Sequence, residues 1–390
     1  MTTQRKIRVL FVYGNDPSPT LLERMRVLED SGEFEPYAIT WERGGSNIQI
    51  PWSSDLPSER FIRVSLPDPR GNLVRRAYLT FKFTKAVRRA VKSTRADVID
   101  SIYPDMLVSA RAAMLGVKRR SLVYDLWDLH GKRGAGVLAR WFWRRLFGSV
   151  DLMFMSSEGY DTQFLSLHRL LTPRTSVVYV PNCPLGWNFR REGPAPAQIT
   201  IGYVGQIRIR NEIANLIEAI RTARDRGGNL RLFVAGAGRE SAWLASEAQT
   251  QDFIDYLGPF DYGAEIESIF ARCDIMFAVY PQDELNYRVH WARRSHQSLV
   301  SGIPMIVARG SQMGDYVAAN GAGWEVAYDS QAELTELLER LANDRSLVEQ
   351  ASTAAIGISE SHRLESYSQR IVDAYRSLPL DRDRLCRGDG

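Results

Sequence analysis

The amino-acid sequence predicts an α/β protein built from two doubly wound domains, and three observations carry that expectation. The 390 residues exceed one ordinary core and suit two domains of about 150–200 residues each. Short apolar runs rich in β-branched and aromatic residues alternate with helix-length segments along almost the whole chain. A stretch dense in Pro and Gly then interrupts the pattern, after which it restarts. Alternation of this kind implies parallel sheets with helices on both faces.

In chain order, strands are expected at 7–13 ("IRVLFVY"), 36–41, 97–103, 121–127, 151–157 and 176–181, with helices over 20–31, 72–94, 105–116 and 136–147 between them. Ser18 or Thr20 is placed to cap the first helix. Residues 184–198 read as a linker. Strands at 199–204, 230–236, 274–280 and 304–308 follow, alternating with helices near 212–226, 239–247, 263–272 and 293–301. The expected domains are therefore 1–183 and 199–362, with an amphipathic helix over 363–378 crossing back to the first domain and a disordered tail at 379–390. Ligands of such sheets bind outside the carboxyl ends of the strands, so a cleft between the domains is the expected site.

Hydrophobic content of 44% and charged content of 25% are those of a soluble globular protein. Cys183, Cys273 and Cys386 lack metal-ligand spacing and read as free thiols in a reducing cytoplasm. The first apolar run is too short for a signal-peptide core, and no run reaches the ~20 apolar residues of a membrane span. The net charge of +4 conceals an asymmetry: residues 1–150 carry 26 Lys/Arg against 15 Asp/Glu, the remainder 24 against 31. From Arg70 to Arg95 there are nine basic residues and no acidic one. With the aromatic and cationic "GVLARWFWRRLF" (136–147), this suggests an anionic membrane surface as a partner of the first domain. The competing reading buries the apolar helix faces in the core and leaves only the charges outside. Nucleic acid is not expected, because no recognition motif accompanies the charge.

Three turns of the second domain point to a nucleotide. "YVGQIRIRNE" (203–212) runs a strand into Gly205 and brings Arg208 and Arg210 to a helix start, where two guanidiniums can clamp a diphosphate. "FVAGAGRE" (233–240) supplies Gly236 and Gly238, and "LGPFDYG" (257–263) offers Phe260, Asp261 and backbone amides to a nucleoside. The first loop, "YGNDPSPT" (13–20), lacks G-x-G-x-x-G, which argues against a dinucleotide in the first domain.

The motifs "IGYVGQIRIR…LIEAI", "LRLFVAGAG", "YLGPFDY…IFARCDIMFAVYP" and "SLVSGIPMIVA" resemble the nucleotide-sugar domain of family-4-type glycosyltransferases of GT-B fold. "ADVIDSIYPDM", "LVYDLWDLHG", "VDLMFMSSEGYDTQFL" and "VVYVPN" are similar, more loosely, to that family's acceptor domain. The resemblance covers most of residues 6–378 and implies two Rossmann-like domains facing across a cleft, with transfer of a sugar from a nucleotide donor, UDP- or GDP-linked, to a saccharide or lipid-linked acceptor. It further implies that Arg294 supports the diphosphate and that Gln297 meets the ribose where the family has Glu. The family's paired acid falls at Val289, so both acids of its E-x7-E pattern are missing. Asn286, Tyr287 and Arg288 lie in the loop that would face the sugar, and Gly14 would allow the donor close approach. His296 is expected to be a packed or surface helix residue rather than a catalyst. Opposite the donor, Asp125 and Asp128, then His130, are the polar residues expected near the reacting carbon.

Fixed cations and helix dipoles can stabilise a departing nucleoside diphosphate without a metal, and no D-x-D motif stands in the donor domain, so neither metal nor resident cofactor is expected. Retention would follow from same-face attack within the leaving-group ion pair, inversion from a positioned base. A place in envelope polysaccharide or glycolipid assembly, in the cytoplasm at the inner membrane face, fits a lipid-linked acceptor. An epimerase or hydrolase of nucleotide sugars, or a binding protein without turnover, are the alternatives on the same frame.

Overall fold

The computed structural model describes residues 5–42, 56–68, 72–117, 120–129, 137–160, 174–191 and 197–380, without the side chains at 73 and 138–140. Among these the chain forms two compact units, one up to Pro181 and again from Tyr367, the other from Asn182 to Ser366.

The first unit holds seven strands: β1 (Ile7–Tyr13), β2 (Phe34–Glu42), β3 (Phe61–Ser65), β4 (Val98–Ile102), β5 (Ser121–Leu126), β6 (Leu152–Met155) and β7 (Ser176–Tyr179). They pair in parallel in the order β3-β2-β1-β4-β5-β6-β7. Its helices are α1 (Pro19–Asp30), α2 (Leu73–Ser93), α3 (Pro104–Ala113) and α4 (Val137–Phe147). Right-handed crossovers put α1 on one face of the sheet and α2, α3 and α4 on the other, where α3 touches both neighbours. Central strands are buried on both faces, which is why β1 reads as an unbroken apolar run through Val9, Leu10, Phe11 and Val12. Ser18 caps α1, its hydroxyl accepting from the Leu21 amide at 3.3 Å. On α2 the inward face is Leu79, Phe83, Val87, Ala90 and Val91, all buried. For those positions, burial in the core is the correct reading.

The second unit has six strands, β8 (Ile199–Val204), β9 (Leu230–Ala235), β10 (Ile254–Gly258), β11 (Ile275–Ala278), β12 (Met305–Ala308) and β13 (Gly323–Val326). Their order is β10-β9-β8-β11-β12-β13, again parallel. The helices are α5 (Arg210–Asp225), α6 (Ser241–Thr250), α7 (Tyr262–Phe270), α8 (Leu285–Val289), α9 (Arg293–Val300), α10 (Gln312–Ala319), α11 (Gln331–Asn343) and α12 (Ser346–Gly357). One core, with Ile201, Leu216 and Leu338, lies under α5 and α11; the other, with Phe270, Leu299 and Val307, lies under α7 and α9.

Two expectations change here. The start of the supposed linker is part of the second unit, because Trp187 is buried against Phe270, ring centroids 5.2 Å apart, and its indole nitrogen donates to Ser301 Oγ at 2.8 Å. Residues 192–196 of that stretch, and the tail from 381 on, lie outside the described residues. The structure also adds β3, β10, β13 and helices α8, α10, α11 and α12.

The last helix, α13 (Glu365–Arg376), belongs with the first unit. Its Tyr375 sits 5.8 Å from the Phe34 ring and 5.4 Å from that of Phe154, and its hydroxyl donates to the buried Asp100.

Candidate active site

In both sheets the chain works outward from one strand and then returns to its other side, between β1 and β4 in the first and between β8 and β11 in the second. Such a reversal opens a crevice at the strands' carboxyl ends, where ligands of this architecture sit.

In the second unit Gly205 ends β8 with φ 131°, a conformation that favours glycine. The turn after it is bonded to its neighbours: Gly205 N donates to Ala235 O (2.9 Å), Ile207 N to Ala237 O (3.1 Å) and Gly236 N to Gly258 O (2.8 Å). A Cβ on Gly236 would overlap the Gly205 carbonyl, and one on Gly238 the Ile207 carbonyl. These two glycines are thus required to stack one turn on the next.

Neither α5 nor α9 has a side-chain cap, since Ile209 and Ala292 stand at their N-cap positions. A helix start without a side-chain cap leaves its dipole and first-turn amides to an anion, although in α9 the Ser295 amide already donates to the Ala292 carbonyl at 2.8 Å. Arg208 and Arg210 are exposed at the opening of α5. The Arg210 guanidinium lies over Trp243, 4.7 Å from its centroid, and the Arg208 carbonyl accepts from Arg239 Nε at 2.7 Å.

Arg294 is not the exposed clamp expected of it. Only 8% of it is accessible; Nη1 donates to the Val204 carbonyl at 3.0 Å, and the guanidinium lies 4.2 Å from the Tyr203 centroid and 5.1 Å from that of Tyr280. Its charge partner is Glu212 in the first turn of α5, 2% exposed, whose carboxyl burial pushes up to about 7 while Arg294 pulls it down. Arg294 therefore braces the end of β8 from beneath Gly205.

The other assignments on this edge also shift. Gln297 Nε2 donates to the Tyr262 hydroxyl at 2.6 Å, and Arg293 Nε donates to the same oxygen at 2.8 Å, so the nitrogen end of the Gln297 amide is held by α7. Asp261 caps α7, accepting from Gly263 N (2.9 Å) and Ala264 N (3.2 Å), while Glu265 accepts from the Asp261 amide (2.6 Å); the Asp261 carboxylate thus serves the helix. Phe260 is half-buried against the core under α7. Asn286, Tyr287 and Arg288 fall on α8, with Tyr287 stacked on Tyr280 at 5.7 Å and Arg288 exposed. Val289 is fully buried. His296 is packed, with its ring 5.3 Å from that of Trp291 and its Nδ1 3.0 Å from His362 Nδ1, and burial holds its basicity well below the usual range.

In the first unit Asp125 is corrected. It is 1% exposed on β5, and its Oδ2 lies 3.3 Å from Arg24 Nη2. Asp100 on β4 shares this core, its carboxyl pushed well up by burial and then by Asp125. A carboxylate so enclosed cannot meet an acceptor. Asp128 is different: it follows β5 at the carboxyl edge and is half-buried. The backbone before it is fixed, because Ser156 Oγ and the Tyr160 hydroxyl both donate to the Trp127 carbonyl, at 2.9 and 3.0 Å. The Trp127 ring packs 5.5 Å from Tyr13 and 6.1 Å from Tyr103. Tyr103 has φ 77°, a strained backbone for a non-glycine residue, beside the strand reversal. Gly14 is buried just after β1. His130 lies outside the described residues.

Sequence reasoning missed Glu212, Tyr203 and Tyr280 around Arg294, and Tyr13, Tyr103 and Trp127 beside Asp128. An aromatic at the carboxyl end of each switch-point strand, β1, β4, β8 and β11, is the signal that could have found four of the six, Tyr13, Tyr103, Tyr203 and Tyr280.

The chain matches two family models, "Glycosyl transferase 4-like domain" over residues 40–183 and "Glycosyl transferases group 1" over residues 187–357. No curated protein matches the sequence. Among solved structures the chain is similar to sucrose-phosphate synthase from Thermosynechococcus elongatus, with 13% identity, 95% of this chain and 98% of that one covered and a TM-score of 0.69. Anabaena HepE in complex with UDP-glucose gives 16%, 95%, 100% and 0.68 in the same terms. WaaG, a glycosyltransferase involved in lipopolysaccharide biosynthesis, gives 16%, 94%, 99% and 0.61. At these identities the structural likeness establishes the fold, and the two family models, which together span most of the sequence, establish the rest: the chain belongs to the group 1 glycosyl transferases.

Proposed function

We propose that the chain transfers a sugar from a uridine or guanosine diphosphate donor to a saccharide or lipid-linked acceptor, in envelope polysaccharide or glycolipid assembly at the cytoplasmic face of a membrane. One observation carries the donor half of this reading: the two helices opening at the carboxyl edge around β8 and β11, α5 and α9, both lack a side-chain cap. Exposed Arg208 and Arg210 lie beside the first of them. As the bond to the sugar breaks, the diphosphate gathers negative charge, and fixed amides and guanidiniums stabilise it where it forms. The HepE complex with UDP-glucose supports a uridine donor. In this scheme Asp128 of the first unit orients or deprotonates the acceptor hydroxyl, a role supported by its half-buried position just after β5. No metal has a part in this scheme, because the cations are the protein's own. No described helix is long and apolar enough to cross a membrane, so a membrane acceptor would be met from the surface.

A second reading, a binding protein without turnover, is favoured by the two absent acids, at Val289 and Gln297. Thermal shift with uridine, guanosine, adenosine and thymidine diphosphates tests the donor site. Incubation of the stabilising nucleotide's sugar conjugates with acceptor-bearing membranes then decides between the readings. Labelled product supports transfer, and its anomeric configuration distinguishes retention from inversion. Donor binding with no product leaves the second reading, and released free sugar points to hydrolysis.

A further inference from the structure

The outer faces of α2 and α4 carry side chains that sugar transfer does not use. Val74, Tyr78 and Phe81 project from the first half of α2 with exposures of 79%, 54% and 56%. At about 100° per residue they form one stripe, which Lys82, Lys85, Arg89 and Lys92 continue over the second half. Lys82 Nζ lies 4.6 Å from the Tyr78 centroid and Lys85 Nζ 4.4 Å from that of Phe81, so cations and rings share one surface. On α4, Val137, Trp141 and Phe142 are likewise exposed, at 72%, 64% and 44%, beside exposed Arg144 and Arg145.

Topology gathers these groups. Each helix follows a strand of a parallel sheet, so the amino-terminal half of each lies at the carboxyl edge, and both flank α3 on the same face. The apolar side chains therefore collect along one margin of the first unit, with the cations extending away from it. Monomers seldom leave such a cluster open without a partner. The core of a protein–protein interface is depleted in lysine, and a phosphodiester backbone has no use for exposed valines. Aromatic residues that enter the headgroup boundary, flanked by lysine and arginine, match the surface of an anionic bilayer. The charge agrees: nine basic residues and no acidic one lie between Arg70 and Arg95.

We propose that this margin docks on an anionic lipid surface, with Tyr78, Phe81, Trp141 and Phe142 in the headgroup–acyl boundary and the α2 lysines on the lipid phosphates. Docking itself is independent of sugar transfer. Only its corollary, that a lipid-linked acceptor reaches Asp128 from the bilayer, rests on the proposed function.

The test is co-sedimentation of the full chain with phosphatidylcholine vesicles, with and without phosphatidylglycerol, in the absence of nucleotide and acceptor. The expected result is partition onto the anionic vesicles alone. Tyr78→Ser/Phe81→Ser and Trp141→Ser/Phe142→Ser should each weaken it by about tenfold. Lys82→Gln/Lys85→Gln/Arg89→Gln should let lower salt release the protein. All these positions are exposed, so an unchanged melting temperature is expected and separates lost docking from lost fold. A wild-type chain that stays in the supernatant overturns the proposal, as do serine variants that bind undiminished. A dimer in sedimentation velocity that the serine variants dissociate assigns the surface to a second copy of the chain and also overturns it. Failure of sugar transfer alone leaves these readouts untouched.

Discussion

Arg24 on α1 and Asp125 on β5 form an ion pair inside the first unit, Nη2 to Oδ2 3.3 Å, with Arg24 2% exposed and its guanidinium 4.8 Å from the Phe154 centroid. Asp100 and Tyr375 complete the group, which draws on α1, β4, β5 and α13. Two carboxyl groups sharing one guanidinium in a dry core are held by position rather than by gross attraction.

Removing the cation alone should be costly. Arg24→Leu leaves the carboxyl groups uncompensated and should destabilise the first unit by about 3–5 kcal/mol, read as a fall in its urea midpoint. Asp125→Asn should cost stability too, with turnover per folded molecule unchanged. A kinetic defect without a stability change would return Asp125 to the active site.

Asp128→Asn should behave in the opposite way. Its backbone is fixed by Ser156 and Tyr160 through Trp127, whichever side chain follows. Turnover should fall by about a hundredfold or more if the carboxylate takes the acceptor proton, with donor affinity and melting temperature unaltered. Equal kcat in the variant would refute its role.

At the donor edge, Arg208→Ala and Arg210→Ala should each weaken nucleoside diphosphate binding by about 1.5–3 kcal/mol through lost charge-assisted bonds. Titration calorimetry at low and high salt checks this, since the loss should shrink as salt rises. Unchanged affinity in both variants removes the clamp.

Gly236→Ala places a methyl group against the Gly205 carbonyl at a residue with φ 139°. The stacked turns must then part. A loss of about 1–3 kcal/mol of stability is expected, together with weaker nucleotide binding, because Gly205 moves. Wild-type melting and affinity would show that the turns are not interlocked as described.

Glu212 gives the second unit a pH dependence. Its folded carboxyl titrates near 7 against an ordinary 4.5, so the folded chain binds its proton more tightly than the unfolded chain does. Its contribution to stability is fully present below about 4.5 and is lost as pH rises through 7. Glu212→Gln should flatten the decline of the melting temperature between pH 5 and 8. A parallel curve in the variant would assign the slope elsewhere.

Much of the fold was legible because central parallel strands, buried on both faces, must be continuously apolar. The three strands missed, β3, β10 and β13, are all at sheet edges; "IDYLG" and "GWEV" mix polar and apolar residues because less of each is covered. At the site, sequence located the Gly205 turn, the helix starts and the Asp128 loop. It misjudged the surroundings of Arg294 and Asp125, both buried, because charge was read as exposure. In Asp125 the warning was its place inside the apolar run "SLVYDLW". The burial of Arg24 was legible in its spacing, since Leu21, Arg24, Met25 and Leu28 share the buried face of α1.

Because Tyr375 arrives 275 residues after the Asp100 it bonds, synthesis on the ribosome imposes an order. The donor half can complete its core while the amino-terminal half still waits for its final piece, leaving Asp100 without its phenol partner. Cutting the chain before Glu365 should therefore unravel the beginning of the protein and spare its middle.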